Sequence, residues 1–333
     1  MKKIINDPER FVDEMLDGLL LAHPDQLRAA STDRRAIVRA DSPKAGRVGI
    51  VTGGGSGHLP TFLGFVGEGL CSGVAVGNVF SSPSSQQCLE ATRASDGGAG
   101  VLYLFGNYGG DVLNFELAAD MAELDGIETT TVLVTDDVAS QPIERIADRR
   151  GVAGLFFAYK CAGAAAERGD DLASVAAAAQ AAVDSTRTMG IGLSPTILPA
   201  AGKPTFELED GEMEIGIGIH GEPGFHRGPL ETADAIVDRL LTPIVADLGL
   251  SQGEKVAVLV NGMGATPLEE LYVMYRHIHA RLTELGVETA RCYVGEFATS
   301  LEMAGASISI MRLDAATTEL LSAPARSPFF EQR

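Results

Sequence analysis

The chain has 333 residues, 45% of them hydrophobic and 21% charged, and a formal net charge of −19. That length exceeds one ordinary core and points to about two domains. The acidic balance argues against nucleic acid or an anionic membrane as partner, because both require a basic footprint. The four cysteines, Cys71, Cys88, Cys161 and Cys292, lie far apart without zinc-site spacing. They read as reduced core thiols, with no bound metal, in a cytoplasmic protein. No apolar signal segment opens the chain and no run approaches the ~18 apolar residues of a membrane span.

Asn6 or Asp7 before Pro8 predicts a helix start, with Phe11, Met15 and Leu19 on one face and an end near His23 and Pro24. Two strands follow, Ala36–Ala40 and Val48–Thr52, and then a loop, Gly53–Pro60. Strands and helices alternate from there. Gly73–Gly77, Val101–Phe105, Thr130–Thr135 and Gly154–Lys160 read as strands, with helices through Leu89 and Phe115 and an alanine-rich helical stretch after Lys160. Asp171–Met189 reads as a long helix, and the domain boundary is expected at its end. The expectation is therefore an α/β protein of two domains, 1–189 and 190–333, each with a central sheet flanked by helices. In the second half, strands from Ile191, over Pro204–Asp210 and over Glu214–His220 precede a helix near Glu231–Leu248. A hairpin turn is expected at Glu209–Gly211. Strand Val256–Gly262, a helix from Leu268 and two further strands complete it.

Ligands of α/β sheets gather in loops after the carboxyl ends of strands. Gly53–Pro60 is one such loop, whose glycines let backbone N–H groups meet an anion or a sugar oxygen. Its spacing matches neither the phosphate loop, nor the dinucleotide fingerprint, nor the nucleophile elbow, and a plain tight turn remains open. Asp111, after Asn107–Gly110, stands at a helix start, where an N-cap is the bland reading. Asp136 and Asp137 read as a metal or acid/base pair, or as a solvated turn or helix start. Thr266, Pro267 and Glu269 read as a capping box. Lys160 is a further, weaker site candidate.

The stretch Glu212–Gly224 alternates Ile215, Ile217 and Ile219 with Gly216, Gly218 and His220, the period of a strand buried on one face. Its other face is bare until His220, and glycines inside a strand often mark close approach by a ligand or another backbone. The alternative is a hydrogen-bonded histidine with no role.

Taken in order, these segments resemble the dihydroxyacetone kinase family in its substrate-binding, K-type subunit. The matching motifs are Gly53–His58, Asn107–Asp111, Asp136–Val138, Pro199–Pro204, Gly216–Gly224, Gly264–Tyr272 and Thr299–Gly305. The resemblance implies a homodimer with a ketose bound between two α/β domains. It puts the covalent histidine, which forms a hemiaminal with the ketone, at His220. Asp111 becomes the base for the terminal hydroxyl and His58 its helper, with Gly55, Ser56, Gly57 and Gly106 lining the substrate. The chain would bind no cofactor itself. A helical partner subunit would carry ATP or ADP with Mg²⁺, making this one half of a split phosphotransferase acting on an alcohol group. Members that bind dihydroxyacetone have Lys where this chain has Gly106 and Glu where it has Leu59, which implies room for a larger ketose such as an erythrulose or a branched pentulose. The competing implication is a non-catalytic ketose sensor of the same fold.

Overall fold

The structure is a computed structural model and describes residues 2–333. Asp7 caps a 3₁₀ turn at Pro8–Arg10, its carboxylate accepting from Glu9 N at 3.0 Å, and helix α1 (Phe11–Ala22) follows with Val12, Leu16 and Leu19 buried. The strands β1 (Leu27–Ala29), β2 (Ala36–Arg39), β3 (Gly49–Ser56) and β4 (Gly73–Val79) lead to helix α2 (Ser85–Ser95). Strand β5 (Val101–Gly106), helix α3 (Gly109–Leu124) and strand β6 (Thr129–Val134) complete a six-stranded sheet of order β1-β2-β4-β3-β5-β6. Its β4, β3, β5 and β6 run parallel. Strand β5 is buried along its whole length, as a parallel strand covered on both faces must be. On one face Val51, Tyr103 and Phe105 pack against Cys88, Leu89 and Phe115 from α2 and α3.

Helix α4 (Leu155–Arg168) packs on β3 and β5. The apolar run Gly154–Lys160, expected as a strand, forms its first turns instead. Leu155 to Ala166 are all buried, so no polar face reveals the helical period, and a short apolar run cannot be assigned by periodicity alone. Gly163 shows how tightly α4 sits, since a Cβ there would meet the Gly69 backbone at 2.3 Å. Lys160 lies in the middle of α4, not at a strand end. It is fully buried and its ammonium donates to Ala323 O.

Helix α5 spans Leu172–Asp184 and stops short of the expected Met189, because strand β7 (Thr186–Ser194) begins there. Strands β8 (Glu212–Ile215) and β9 (His226–Pro229), helix α6 (Ala233–Leu248), strand β10 (Lys255–Gly262), helix α7 (Leu268–Glu284), and strands β11 (Glu288–Gly295) and β12 (Ala304–Leu313) follow. They form a second six-stranded sheet, β11-β10-β12-β7-β8-β9, antiparallel except between β10 and β11. Val256, Val258 and Val260 share one face of β10 and pack with Ile308, Ile310, Leu240, Ile244 and Ile278. The expected strand over Pro204–Asp210 does not form. Glu212 N does close a turn on Glu209 O at 3.0 Å, but β8 pairs with β7 and β9, so no hairpin stands there. Helix α8 (Ala315–Ser322) and the short pair β13 (Ala325–Arg326) and β14 (Glu331–Gln332) end the chain.

Two compact units result. The first holds the chain through Val134, Leu155–Ala182 and Thr317–Arg333; the second holds Thr135–Gly154 and Val183–Ala316. A single cut at Gly190 would fall inside β7, whose pairing with β12 runs from Thr186 to Ser194. Long-range strand pairing overrides the alanine-led helical pattern at that point. Inside the second unit, Asp247 near the end of α6 joins two buried guanidinium groups. Arg149 binds both of its oxygens, at 2.9 and 2.6 Å, and Arg187 from β7 reaches one at 2.5 Å. Replacing Asp247 by Ala strands both cations, and chemical denaturation should show a loss of about 3–5 kcal/mol. A loss under about 1 kcal/mol would mean that the pair behaves like an exposed surface bridge.

Candidate functional site

In the first unit, β3 and β5 are neighbours, yet they pair only from Gly49 and Val101 to Val51 and Tyr103. Beyond that point β3 stays bound to β4, and β5 to β6. The chain leaves β3 toward β4 on one side and returns to β5 on the other. This is the topological switch point at which open parallel sheets form their crevice. The carboxyl end of β3 delivers Gly55, Ser56, Gly57 and His58, and that of β5 delivers Gly106 and then Asn107–Asp111.

The expected loop at Gly53 is strand as far as Ser56, and its glycines serve packing. A Cβ at Gly53 would strike the Phe115 ring at 2.9 Å, one at Gly54 the Phe62 ring at 2.4 Å, and one at Gly55 Ser81 N at 2.6 Å. Ser56 Oγ donates to Gly77 O at 2.8 Å, and Gly57 turns the chain with φ +104°. His58 is 1% exposed. Its ring stacks on Phe80 at 4.8 Å and meets Phe62 edge-on at 6.1 Å. Asp111 is no N-cap: Tyr108 holds that position, and Asp111 is the third residue of α3, buried in the first turn. A carboxylate there is favoured by the helix dipole.

His220 belongs to the second unit. The expected strand stops at Ile215, where Gly216 adopts φ +82°. Ile217 and Ile219 are buried as the pattern required, but from an irregular segment. Gly221 N donates to Gly218 O at 3.0 Å, which puts His220 inside a tight turn. Glu222 clamps that turn, accepting from His220 N at 2.9 Å and meeting Nδ1 at 2.8 Å. An ionised carboxylate only accepts, so Nδ1 donates, and in the neutral form of the imidazole the lone pair is on Nε2. Burial alone would push the Glu222 carboxyl up, but the His220 hydrogen bond and the charges of His220 and Arg150 hold it down at about 2. The glycine face expected to admit a ligand makes room for these partners instead. A Cβ at Gly218 would sit 2.1 Å from Glu222 Oε2 and 2.4 Å from Arg150 Nη1.

Asp136 and Asp137 are neither a solvated turn nor a helix start. Asp136 accepts from Val152 N and Gly154 N, both at 2.8 Å, and Asp137 pairs with Arg150 at 2.8 Å. Burial raises both carboxyls, that of Asp137 to about 6 in spite of Arg150. Thr266 is not a cap either; its hydroxyl donates to Gly305 O at 2.6 Å and accepts from Gly305 N at 2.9 Å. Pro267 occupies the cap position of α7 without a side-chain bond. Sequence reasoning passed over Glu222 as a turn residue and did not register Arg150. The signal for the first was a carboxylate two residues beyond the histidine; for the second there was none.

The Dak1 domain family matches residues 17–329. The chain is 44% identical over 331 residues, 99% of each chain, to "PTS-dependent dihydroxyacetone kinase 2, dihydroxyacetone-binding subunit DhaK" of Listeria innocua. It is 42% identical over 332 residues to the D-erythrulose kinase of Mycolicibacterium smegmatis, covering 100% of this chain and 57% of that protein. Among solved structures, the dihydroxyacetone kinase of C. freundii superposes with a TM-score of 0.87 at 31% identity, over 99% of this chain and 60% of that one. The dihydroxyacetone kinase operon co-activator DhaQ does so with a TM-score of 0.89 at 29% identity, over 96% and 98%.

Glu222 supplies a pH test. Its folded-state pKa is depressed, so its stabilisation is complete above the ordinary value of 4.5 and lost as pH falls through about 2. Urea unfolding of the wild type and Glu222→Gln should differ by roughly 1–2 kcal/mol at pH 6, after discounting for partial exposure, and the gap should shrink steadily below pH 4.5 and close only below the folded-state value of about 2. A gap that does not change with pH would contradict the assignment.

Proposed function

Because the chain belongs to the Dak1 domain family, we propose that it is the ketose-capturing subunit of a split kinase, with His220 as nucleophile and Asp111 as base. The observation that carries this reading is the His220–Glu222 contact at 2.8 Å, which puts the proton of the neutral imidazole on Nδ1 and so makes Nε2 the nitrogen that attacks a ketone. Its lone pair forms the C–N bond, the carbonyl π pair moves to oxygen, and the oxygen takes up one proton from bulk hydronium or buffer, so that each capture consumes one solvent proton. The imidazole becomes an imidazolium, and the Glu222 carboxylate balances its charge. A polyol has no electrophilic carbon, so capture separates ketoses from glycerol-like alcohols without relying on size.

Transfer then needs a base at the terminal hydroxyl. Asp111, in the first turn of α3, accepts that proton, and buried His58 shares the proton work. Gly55, Ser56, Gly57 and Gly106 line the substrate. Nucleotide with Mg²⁺ belongs to a helical partner subunit and supplies the transferable phosphoryl group. The one adjacent pair of aspartates weighed as a cation site, Asp136 and Asp137, is taken up by backbone N–H groups and Arg150. The subunit acts as a homodimer in the cytoplasm; among the described residues no helix is long and apolar enough to cross a membrane.

Gly106 and Leu59 leave space and remove charge where dihydroxyacetone-binding members carry Lys and Glu. The substrate is accordingly dihydroxyacetone or a larger ketose, erythrulose or a branched pentulose, and relatives of both kinds stand at similar identity, 44% for a dihydroxyacetone-binding subunit and 42% for an erythrulose kinase. The likeness to a co-activator keeps a non-catalytic ketose sensor as the second reading. A thermal-shift panel of dihydroxyacetone, both erythruloses and branched pentuloses identifies the ligand, since any specific binder raises the folded state's stability. Phosphate transfer with a helical nucleotide-binding partner and ATP then separates enzyme from sensor. His220→Ala should abolish the shift. Asp111→Asn should keep it and lower transfer by about 10²-fold or more. Ketose binding without transfer from any donor supports the sensor, and equal response to dihydroxyacetone with none to larger ketoses removes the substrate expectation.

A further inference from the structure

We propose that Arg150 is a positioning residue for His220: it fixes Glu222 beneath the turn so that Nδ1 keeps its proton and Nε2 is the attacking nitrogen. What Arg150 does for capture presupposes the ketose reading, whereas the fixed tautomer does not. Arg150 lies in the segment that closes on itself between β6 and α4. Asp137 N donates to Arg150 O and Arg150 N to Ser140 Oγ, each at 3.1 Å. Its guanidinium then serves three oxygens of the second unit. Nε donates to Asp137 Oδ2 at 2.9 Å, Nη2 reaches the same oxygen at 2.8 Å and Gly216 O at 3.4 Å, and Nη1 stands 3.8 Å from Glu222 Oε2.

These oxygens bracket the histidine turn. Gly216 is where β8 ends, and Glu222 holds His220 from the far side. A planar guanidinium presents its donors in fixed directions, so one side chain sets both positions at once. Asp137 in turn is tied to β7: Val138 N donates to Thr188 O and Ala139 N to Asp137 Oδ1, each at 3.0 Å. A connected path therefore runs from the sheet through Asp137, Arg150 and Glu222 to the imidazole. The close approach at Gly218 leaves no room for Glu222 and Arg150 to be separated by a side chain. An imidazole in water favours the proton on Nε2, and the opposite tautomer needs an acceptor held at Nδ1. A glutamate on a turn, half exposed and unsupported, has the rotamer freedom to leave that position; the Arg150 charge removes the freedom.

The test reads the His220 tautomer by long-range ¹H–¹⁵N correlation of the imidazole in the full chain without ligand, together with dihydroxyacetone and erythrulose affinity by calorimetry. Wild type should show the Nδ1–H form. Arg150→Met should shift His220 toward a mixture and weaken capture roughly 10- to 100-fold, the usual reach of outer partners that orient an imidazole. Arg150→Lys should restore part of both. Because Arg150→Met leaves Asp137 buried without its partner, the double variant Asp137→Asn/Arg150→Met serves as the folded comparison; it should keep the tautomer shift. Wild-type tautomer and affinity within twofold in Arg150→Met, or a return to the wild-type tautomer in the double variant, would overturn the proposal. Failure of the wild type to bind any ketose, with the tautomer shift still present, would instead sink the ketose reading and leave the positioning role standing.

Discussion

The hydrogen bond between His220 and Glu222 is the constraint on which the histidine turn of the second unit depends. A carboxylate held at about 2 cannot donate at neutral pH, so the bond decides the imidazole tautomer by exclusion. Several local features exist because of it. Gly218 is glycine since any Cβ would overlap the carboxylate, Gly216 ends β8 so that the chain can turn, and Gly221 closes the turn onto Gly218. The turn is then as rigid as the groups beneath it. This is why buried Asp137 and partly buried Arg150, neither of which resembles a catalytic group, matter to the turn.

The first unit reaches an equivalent end by a different route. There the sheet itself opens, because β3 and β5 part after Val51 and Tyr103. The residues beyond the parting, Ser56 to His58 and Gly106 to Asp111, sit on the ends of buried parallel strands rather than on long loops. Aromatic rings hold them. Phe62 and Phe115 fill the space left by Gly54 and Gly53, and Phe80 lies flat against His58. A glycine run before a histidine invites the thought of an anion cradle. Here the close approach is by protein rings and backbone.

How much of this was legible follows from the range of the interactions involved. The alternating sheet and helix pattern and the two-sheet architecture rest on local periodicity, and they could be read. Burial of Ile217 and Ile219 was legible too, although the strand that seemed to bury them stops at Gly216. The errors share one physical cause. In α4 every face is buried, so the helical period vanishes; at Thr186 strand pairing with β12 overrides helix propensity; at Asp136 and Asp137 burial reverses what two adjacent carboxylates suggest. Each depends on partners distant in the chain. Arg150 is the extreme case, since nothing near it in sequence distinguishes it from a surface arginine such as Arg145.

The division of labour between the units bears on how such a protein can change substrate. His220, Glu222, Arg150 and Asp137 support one another wholly inside the second unit, and the task proposed for them, attack on a ketone carbon, is the same for every ketose. Leu59 and Gly106, where the chain departs from the dihydroxyacetone pattern, both lie in the first unit. On the proposed reading, a substitution there alters volume and hydrogen bonding around the carbons that differ between ketoses, without entering the network around His220. On that reading, covalent selection by carbonyl chemistry is separate from selection by size, and the second can drift while the first is held. Relatives named for dihydroxyacetone and for erythrulose, at 44% and 42% identity to this chain, are what such a separation allows.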